Sequence, residues 1–142
     1  MVKGSQPFGP TIFLTKLFIL LNHSTTMGYI KLTLDDLSIK PNAEINGHVI
    51  VDYPGSYDGI VINTLIMDSN ELIVYKSYNG EKISDNVSRL FISKDVMPDN
   101  KADFTASIEF EPEESHEVKF RASIIEQHKE VESVQLFAKF SA

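Results

Sequence analysis

The side chains of this sequence with chemistry to offer are four histidines, twenty carboxylates and a set of hydroxyls. Zinc-dependent hydrolysis needs two histidines one helical turn apart with a glutamate between them, so that both rings reach one metal while the carboxylate handles its water. His23, His48, His116 and His128 are scattered too widely for that and read as ordinary surface or turn residues. The absence of cysteine removes disulfides, thiolate nucleophiles and cysteine-bearing zinc sites together. A serine nucleophile is held on a strained Gly-x-Ser-x-Gly turn, and a phosphate is cradled by a glycine-rich loop ahead of a helix. The sequence has neither. No catalytic residue, metal ligand or cofactor is assigned, and a non-enzymatic protein is expected.

The densest polar run is Glu109-Phe-Glu-Pro-Glu-Glu-Ser-His-Glu117. Calcium loops use several carboxylates, but with alternating Asp/Asn ligands and a glycine that this run lacks, so it reads as a solvated turn. Twenty acids allow too many pairings for a glycosidase-type pair to be picked from spacing. Contact is the other use of side chains. In Val51-Asp-Tyr-Pro-Gly-Ser-Tyr-Asp-Gly59, Tyr53 and Tyr57 flank a Pro-Gly turn. Exposed tyrosines there anchor a partner at small entropic cost, while covered ones pack the turn against the sheet edge.

Net charge is -7 and unevenly placed. Residues 1–26 hold Lys3 and Lys16 and no acid, which leaves 11 basic against 20 acidic residues in the remainder. An acidic domain repels phosphate backbones, and no Lys/Arg stripe interleaves with aromatics, so nucleic acid is not an expected partner. The lack of cysteine fits a reducing compartment such as the cytoplasm, and a secreted protein of this size also manages without disulfides.

The elements that would position these residues have a period of two. In Ala102-Asp-Phe-Thr-Ala-Ser-Ile-Glu-Phe110 the apolar residues share one face and the polar ones the other, which marks a half-buried strand. Val118–Ile124 and Val134–Phe140 repeat the pattern, and the short polar Gln127-His-Lys-Glu130 between them predicts a hairpin. Phe137 is out of phase with Leu136 and Ala138, which puts it on the outer face as an exposed apolar contact. Further strands are expected at Tyr29–Leu34, Ile45–Tyr53, Ile60–Asp68, Glu71–Tyr78 and Val87–Ile92. The nearly continuous apolar run from Ile60 predicts a central strand covered on both faces. Gly47, inside a strand-like run, predicts a bulge or a close backbone approach. With turn chemistry between the runs and no helix required after Met27, the fold class is all-β: a single antiparallel sandwich of about 7–8 strands.

Residues 1–26 differ from the rest. Thr11–Leu21 is apolar but shorter than the roughly 20 residues a spanning helix needs, and Lys16 interrupts it, so no integral membrane span is expected. Three readings stay open: sequence upstream of a true start at Met27, an export signal or anchor with Lys3 ahead of its apolar stretch, or a packed helix. The domain is placed at 27–142. Asn22-His-Ser24 and Asn86-Val-Ser88 match the glycosylation sequon, a pattern common by chance.

Ile39-Lys-Pro-Asn-Ala-Glu-Ile-Asn-Gly-His-Val-Ile-Val51 followed by Tyr57-Asp-Gly-Ile-Val-Ile-Asn-Thr-Leu-Ile-Met67 resembles the opening strands of arrestin-like sandwich domains, and more generally of immunoglobulin-like ones. The resemblance covers roughly residues 37–126 and rests on pattern. Arrestins pair two sandwiches where this chain has one, and no functional residue is carried over. It implies a non-enzymatic adaptor or scaffold that binds partner proteins through sheet edges and loops. The expected location is cytoplasmic, and the residue reading itself offers Tyr53, Tyr57 and Phe137 as the partner contacts. A homodimer is one way to cover Phe137. The alternative is a secreted or surface-anchored structural domain, and a third reading is a sandwich enzyme or small-ligand binder built from scattered carboxylates.

Overall fold

The computed structural model describes residues 23–142. Its strands are β1 (Ser24–Met27), β2 (Ile30–Leu34), β3 (Ser38–Ile39), β4 (Ile45–Val51), β5 (Gly59–Ile66), β6 (Val74–Tyr78), β7 (Glu81–Asn86), β8 (Arg89–Ser93), β9 (Lys101–Ser107), β10 (His116–Glu126) and β11 (Lys129–Phe140). They form two sheets, ordered β1-β2-β4-β9-β6-β7 and β3-β11-β10-β5-β8. All pairings are antiparallel except that of β3 with the end of β11. Among the described residues the only helical elements are two short 3-10 turns, Lys94–Val96 and Pro98–Asn100. None is long and apolar enough to cross a membrane.

Alternation decides what lies between the sheets. Leu32, Val49 and Phe104 from one sheet meet Ile62, Phe120 and Phe140 from the other, all essentially solvent-free. Each such side chain contributes roughly 1.5–3 kcal/mol on burial. Gly47 is the close approach its position predicts: it pairs with Phe104 across β9, and a Cβ there would overlap that ring.

The strand count is eleven rather than about eight, and each difference has a local cause. β7 (Glu-Lys-Ile-Ser-Asp-Asn) is an edge strand exposed along almost its whole length, so it carries no apolar alternation to read. The strand expected at Val87–Ile92 starts at Arg89 instead, because Val87 and Ser88 make the connection from β7. β3 has only two residues, and β1 begins at Ser24, three residues upstream of Met27. The expectations for the rest of the segment before Met27, residues 1–22, lie outside the described residues. β5 is flanked by β10 and β8 as expected. It is covered on both faces only in part: Val61 is 2% exposed on the outer side, but Leu65 is 48% exposed, because the described residues form no further layer over that face.

The expected hairpin joins β10 to β11 through Gln127 and His128, both at positive φ (50° and 64°). Asn79-Gly80 closes β6–β7 in the same way. Two-residue turns of this kind favour Asn-Gly because both residues sit in the left-handed region. Gln127→Asn/His128→Gly is therefore expected to stabilise the domain by about 0.5–1 kcal/mol in urea denaturation, the relief of roughly 1–2 kcal/mol of left-handed strain at position 128 less the entropy a glycine adds to the unfolded chain; a lower midpoint would mean the native side chains contribute more than their backbone strain.

Candidate functional site

Phe137 is where alternation puts it, on the outer face of the five-stranded sheet and 44% exposed. It lines an open groove of about 470 Å3 together with Leu37, Ala138 and Lys139, and with Ser115, His116 and Glu117 on the far wall. Behind that wall, on the core side of the sheet, three aromatic rings pack together. His116 stacks on Phe140 with centroids 6.4 Å apart, and Phe110 meets the two rings edge-on at 6.1 and 5.2 Å. His116 Nδ1–H donates to the Met67 carbonyl at 2.7 Å, fixing the ring. The opposite wall is Leu37, whose carbonyl accepts from the Lys139 amide at 2.8 Å and so straps the β2–β3 connection to β11. Across the strands, Lys119 faces Phe137 on one side and Leu65 on the other, giving a mixed apolar and cationic surface beside the groove. Further along this face, Arg121 bonds Glu130 at 2.6 Å and Ser133 at 3.0 Å, and the guanidinium holds the Glu130 carboxyl below the usual carboxylate range.

Tyr53 and Tyr57 lie elsewhere. Tyr53 Oη donates to Glu126 at the end of β10, whereas the groove is built at the start of that strand. Eleven residues of strand separate the two ends, roughly 33 Å. Tyr29, Tyr53 and Tyr57 form an edge-to-face row with centroids 5.5 and 6.4 Å apart. Tyr57 is only 6% exposed, donates to Asn100 Oδ1 at 2.7 Å and carries the Lys94 ammonium 4.7 Å from its ring centre. Burial pushes its phenol above the ordinary value. Tyr57 therefore packs its loop onto the core, and of the row Tyr29 is the exposed ring and Tyr53 half-buried. The structure thus leaves Phe137 and the Tyr53 row as two separate surfaces, with the second smaller and tied internally.

Among the described residues no group of three or more His, Asp or Glu is placed to hold a metal ion. Within the acidic run, Glu109 is committed to Lys76 at 2.8 Å and Ser107 at 2.7 Å, which lower its pKa. Leu37 and His116 are the groove residues that sequence reasoning missed. Leu37 sits in a polar connection, and His116 at the end of a charge run; the long-range bond of Lys139 to Leu37 reveals the one and the pairing of His116 with Phe140 the other.

Fold and site define an antiparallel β-sandwich domain with an apolar groove on one outer face. No protein-family model matches the chain, and no curated protein matches it. Solved structures share the sandwich. AvmM, which catalyses macrocyclization in alchivemycin A biosynthesis, is 8% identical over 85% of this chain and 90% of its own, with a TM-score of 0.50. A conjugative transposon lipoprotein from Bacteroides eggerthii is 11% identical over 78% of this chain and 95% of its own, with a TM-score of 0.45. The collagen-binding domain of a Staphylococcus aureus adhesin is 12% identical over 83% of this chain and all of its own, with a TM-score of 0.39. At this level of similarity the comparison concerns the fold alone.

Proposed function

We propose that this chain is a non-enzymatic protein-binding β-sandwich domain whose contact surface is the groove at Phe137. The observation that supports it most is that a large aromatic ring, 44% exposed, borders an apolar groove whose two walls are held rigid by His116 and by the Leu37–Lys139 strap. Apolar side chains presented on a rigid frame are what a protein interface needs, because little entropy is lost when a partner covers them. The arrestin-like variant of the sandwich stays an expectation of sequence pattern, and nothing in this reading depends on it.

A second reading concerns location. The apolar stretch Thr11–Leu21 with Lys3 ahead of it fits an exported or surface-anchored protein, and this domain would then be a surface module rather than a cytoplasmic adaptor. Protease added to intact cells separates the two: a surface domain is digested, and a cytoplasmic one is protected.

Capture from its own cells with a C-terminal tag tests the contact surface. Phe137→Ser should reduce recovery of a stoichiometric protein partner at least tenfold, the loss of an anchoring aromatic, while urea denaturation shows an unchanged midpoint. Equal recovery with Phe137→Ser contradicts the reading, as does unfolding of the variant, which would make the ring part of the core.

A further inference from the structure

His48 stands on β4 with its ring on the solvent side of the six-stranded sheet, 41% exposed. Its Nδ1 lies 2.8 Å from Asp103 Oδ1 on β9, and its Nε2 lies 2.9 Å from Asp35 Oδ1 just after β2. A neutral imidazole has one N–H and one lone pair, so it satisfies one carboxylate and aims the lone pair at the other. Both contacts are hydrogen bonds only when the ring carries both protons. The groups around it favour that state. Thr33 on β2 and Asp103 on β9 flank His48, and the nearest cations on this face, Lys31 of β2 and Lys101 of β9, stand opposite Ile50, two positions along. Asn79, from the β6–β7 turn, is neutral and accepts from the Asp103 amide at 2.7 Å. Asp36 accepts from the Ser38 amide, and Glu44 lies ahead of β4 with its carboxylate toward Asn46.

The two carboxylates have different attachments. Asp103 is fixed within the sheet, whereas Asp35 belongs to the corner that crosses to the other sheet. From Asp35 the chain runs through Leu37, whose carbonyl accepts from Lys139, to Ile39, whose carbonyl accepts from Ser141. Leu37 is also one wall of the groove. The corner is therefore strapped to β11 at one end and to His48 at the other.

We propose that Asp35, His48 and Asp103 form a proton-operated clamp on the corner from Asp35 to Ile39, and that it regulates the groove at Phe137 through Leu37. The regulatory part rests on the contact-surface reading of that groove; the clamp does not. With the proton bound, both ends of the corner are held and the Leu37 wall is fixed. Once one proton leaves, the remaining N–H serves a single carboxylate; in the tautomer that keeps it on Nδ1, toward the sheet-fixed Asp103, Asp35 keeps only its backbone bond to the Asn46 carbonyl at 3.0 Å, and the wall loosens. Partial burial by itself would lower the affinity of the ring for a proton. The hydrogen bonds to Asp103 and Asp35, and their charges, outweigh that and raise the imidazole above its ordinary value. A pKa raised on folding gives a sign: the clamp stabilises fully below about pH 6.5 and is lost as pH climbs through the higher folded value.

The test is an NMR titration of the full chain between pH 5.5 and 8.5, following the His48 ring and the amide protection factors of Lys139, Ser141 and, as a core reference, Phe120. The His48 ring should titrate above 6.5. Protection at Lys139 and Ser141 should fall roughly two- to fivefold relative to Phe120, the size that partly exposed ion pairs carry. His48→Gln should abolish this pH dependence, and Asp103→Asn serves the same purpose if that variant does not fold. Titration at or below 6.5, constant protection in the parent, or an equal fall in the folded variant overturns the clamp. The readout needs no partner, so it fails or stands separately from the effect of Phe137→Ser on capture.

Discussion

Gly47→Ala should destabilise the domain by about 1–3 kcal/mol in urea denaturation, the cost of overfilling a close-packed core, and Gly47→Val should prevent folding. The reason lies in one cross-strand pair. Gly47 faces the core from β4 directly opposite Phe104 of β9, and the Phe104 ring occupies the space a Cβ would need. The ring has nowhere else to go. It is 1% exposed and packed between Tyr75 and Phe120, with centroids 6.4 Å from each. A smaller side chain at 104 should therefore relieve the strain. Phe104→Leu destabilises the parent by opening a cavity, yet in the Gly47→Ala background its effect should be smaller by at least 0.5 kcal/mol, since contacting residues couple. A neutral Gly47→Ala, or strictly additive effects, would mean that the ring does not depend on the glycine.

The second large effect is at the polar pair buried between the sheets. Tyr75 reaches from β6 across the core, and its hydroxyl lies 2.7 Å from Thr64 Oγ1 on β5, with the Ile62 carbonyl at 3.3 Å. Tyr75 is fully buried and Thr64 is 3% exposed. Burial drives the phenol far above its ordinary value, only slightly offset by Thr64, so it stays neutral and can donate. Tyr75→Phe leaves the threonine hydroxyl without that partner and should destabilise by about 1–3 kcal/mol. Thr64→Val should be milder, because the phenol keeps the Ile62 carbonyl as acceptor. The double variant Tyr75→Phe/Thr64→Val should be no less stable than Tyr75→Phe alone, because no orphaned hydroxyl remains. Additive losses in thermal denaturation would show that the two hydroxyls act independently.

Much of the sandwich can be read from short-range pattern. Wherever one face of a strand is buried and the other wet, as at Lys101–Ser107 or in the second half of Lys129–Phe140, alternation identifies the strand and its core face. The strands missed are those without such asymmetry: Glu81–Asn86 is wet on both faces, Ser24–Met27 buries neither face, and Ser38–Ile39 is too short to show a period. Phe137 was legible for the same reason, since its phase against Leu136 and Ala138 is local information. The groove around it was not. Pairing residues outward from the Gln127-His128 turn sets Glu126 against Lys129, but a bulge at Ile124/Ile125 shifts every later partner by one. A shift of one residue reverses which side chains share a face, so the meeting of His116 with Phe140 emerges only in three dimensions. Tyr57 shows the limit in the other direction: two tyrosines beside Pro-Gly have the same sequence appearance whether exposed or buried, and here the fold turns Tyr57 inward onto Asn100 and Lys94. The His48 clamp joins residues 13 and 55 positions away and has no sequence signature.

The claim that the groove at Phe137 is the contact surface is tested most directly by site-specific photocrosslinking in the protein's own cells. A photoreactive phenylalanine analogue would replace Phe137, and in separate chains Leu65, exposed on the same face, and Tyr29, exposed with the tyrosine row at the far end. The account predicts a discrete protein adduct from position 137 and none of that mass from position 29. No adduct at 137, with a strong one at 29, would contradict it and move the contact surface to the tyrosine end of the sandwich.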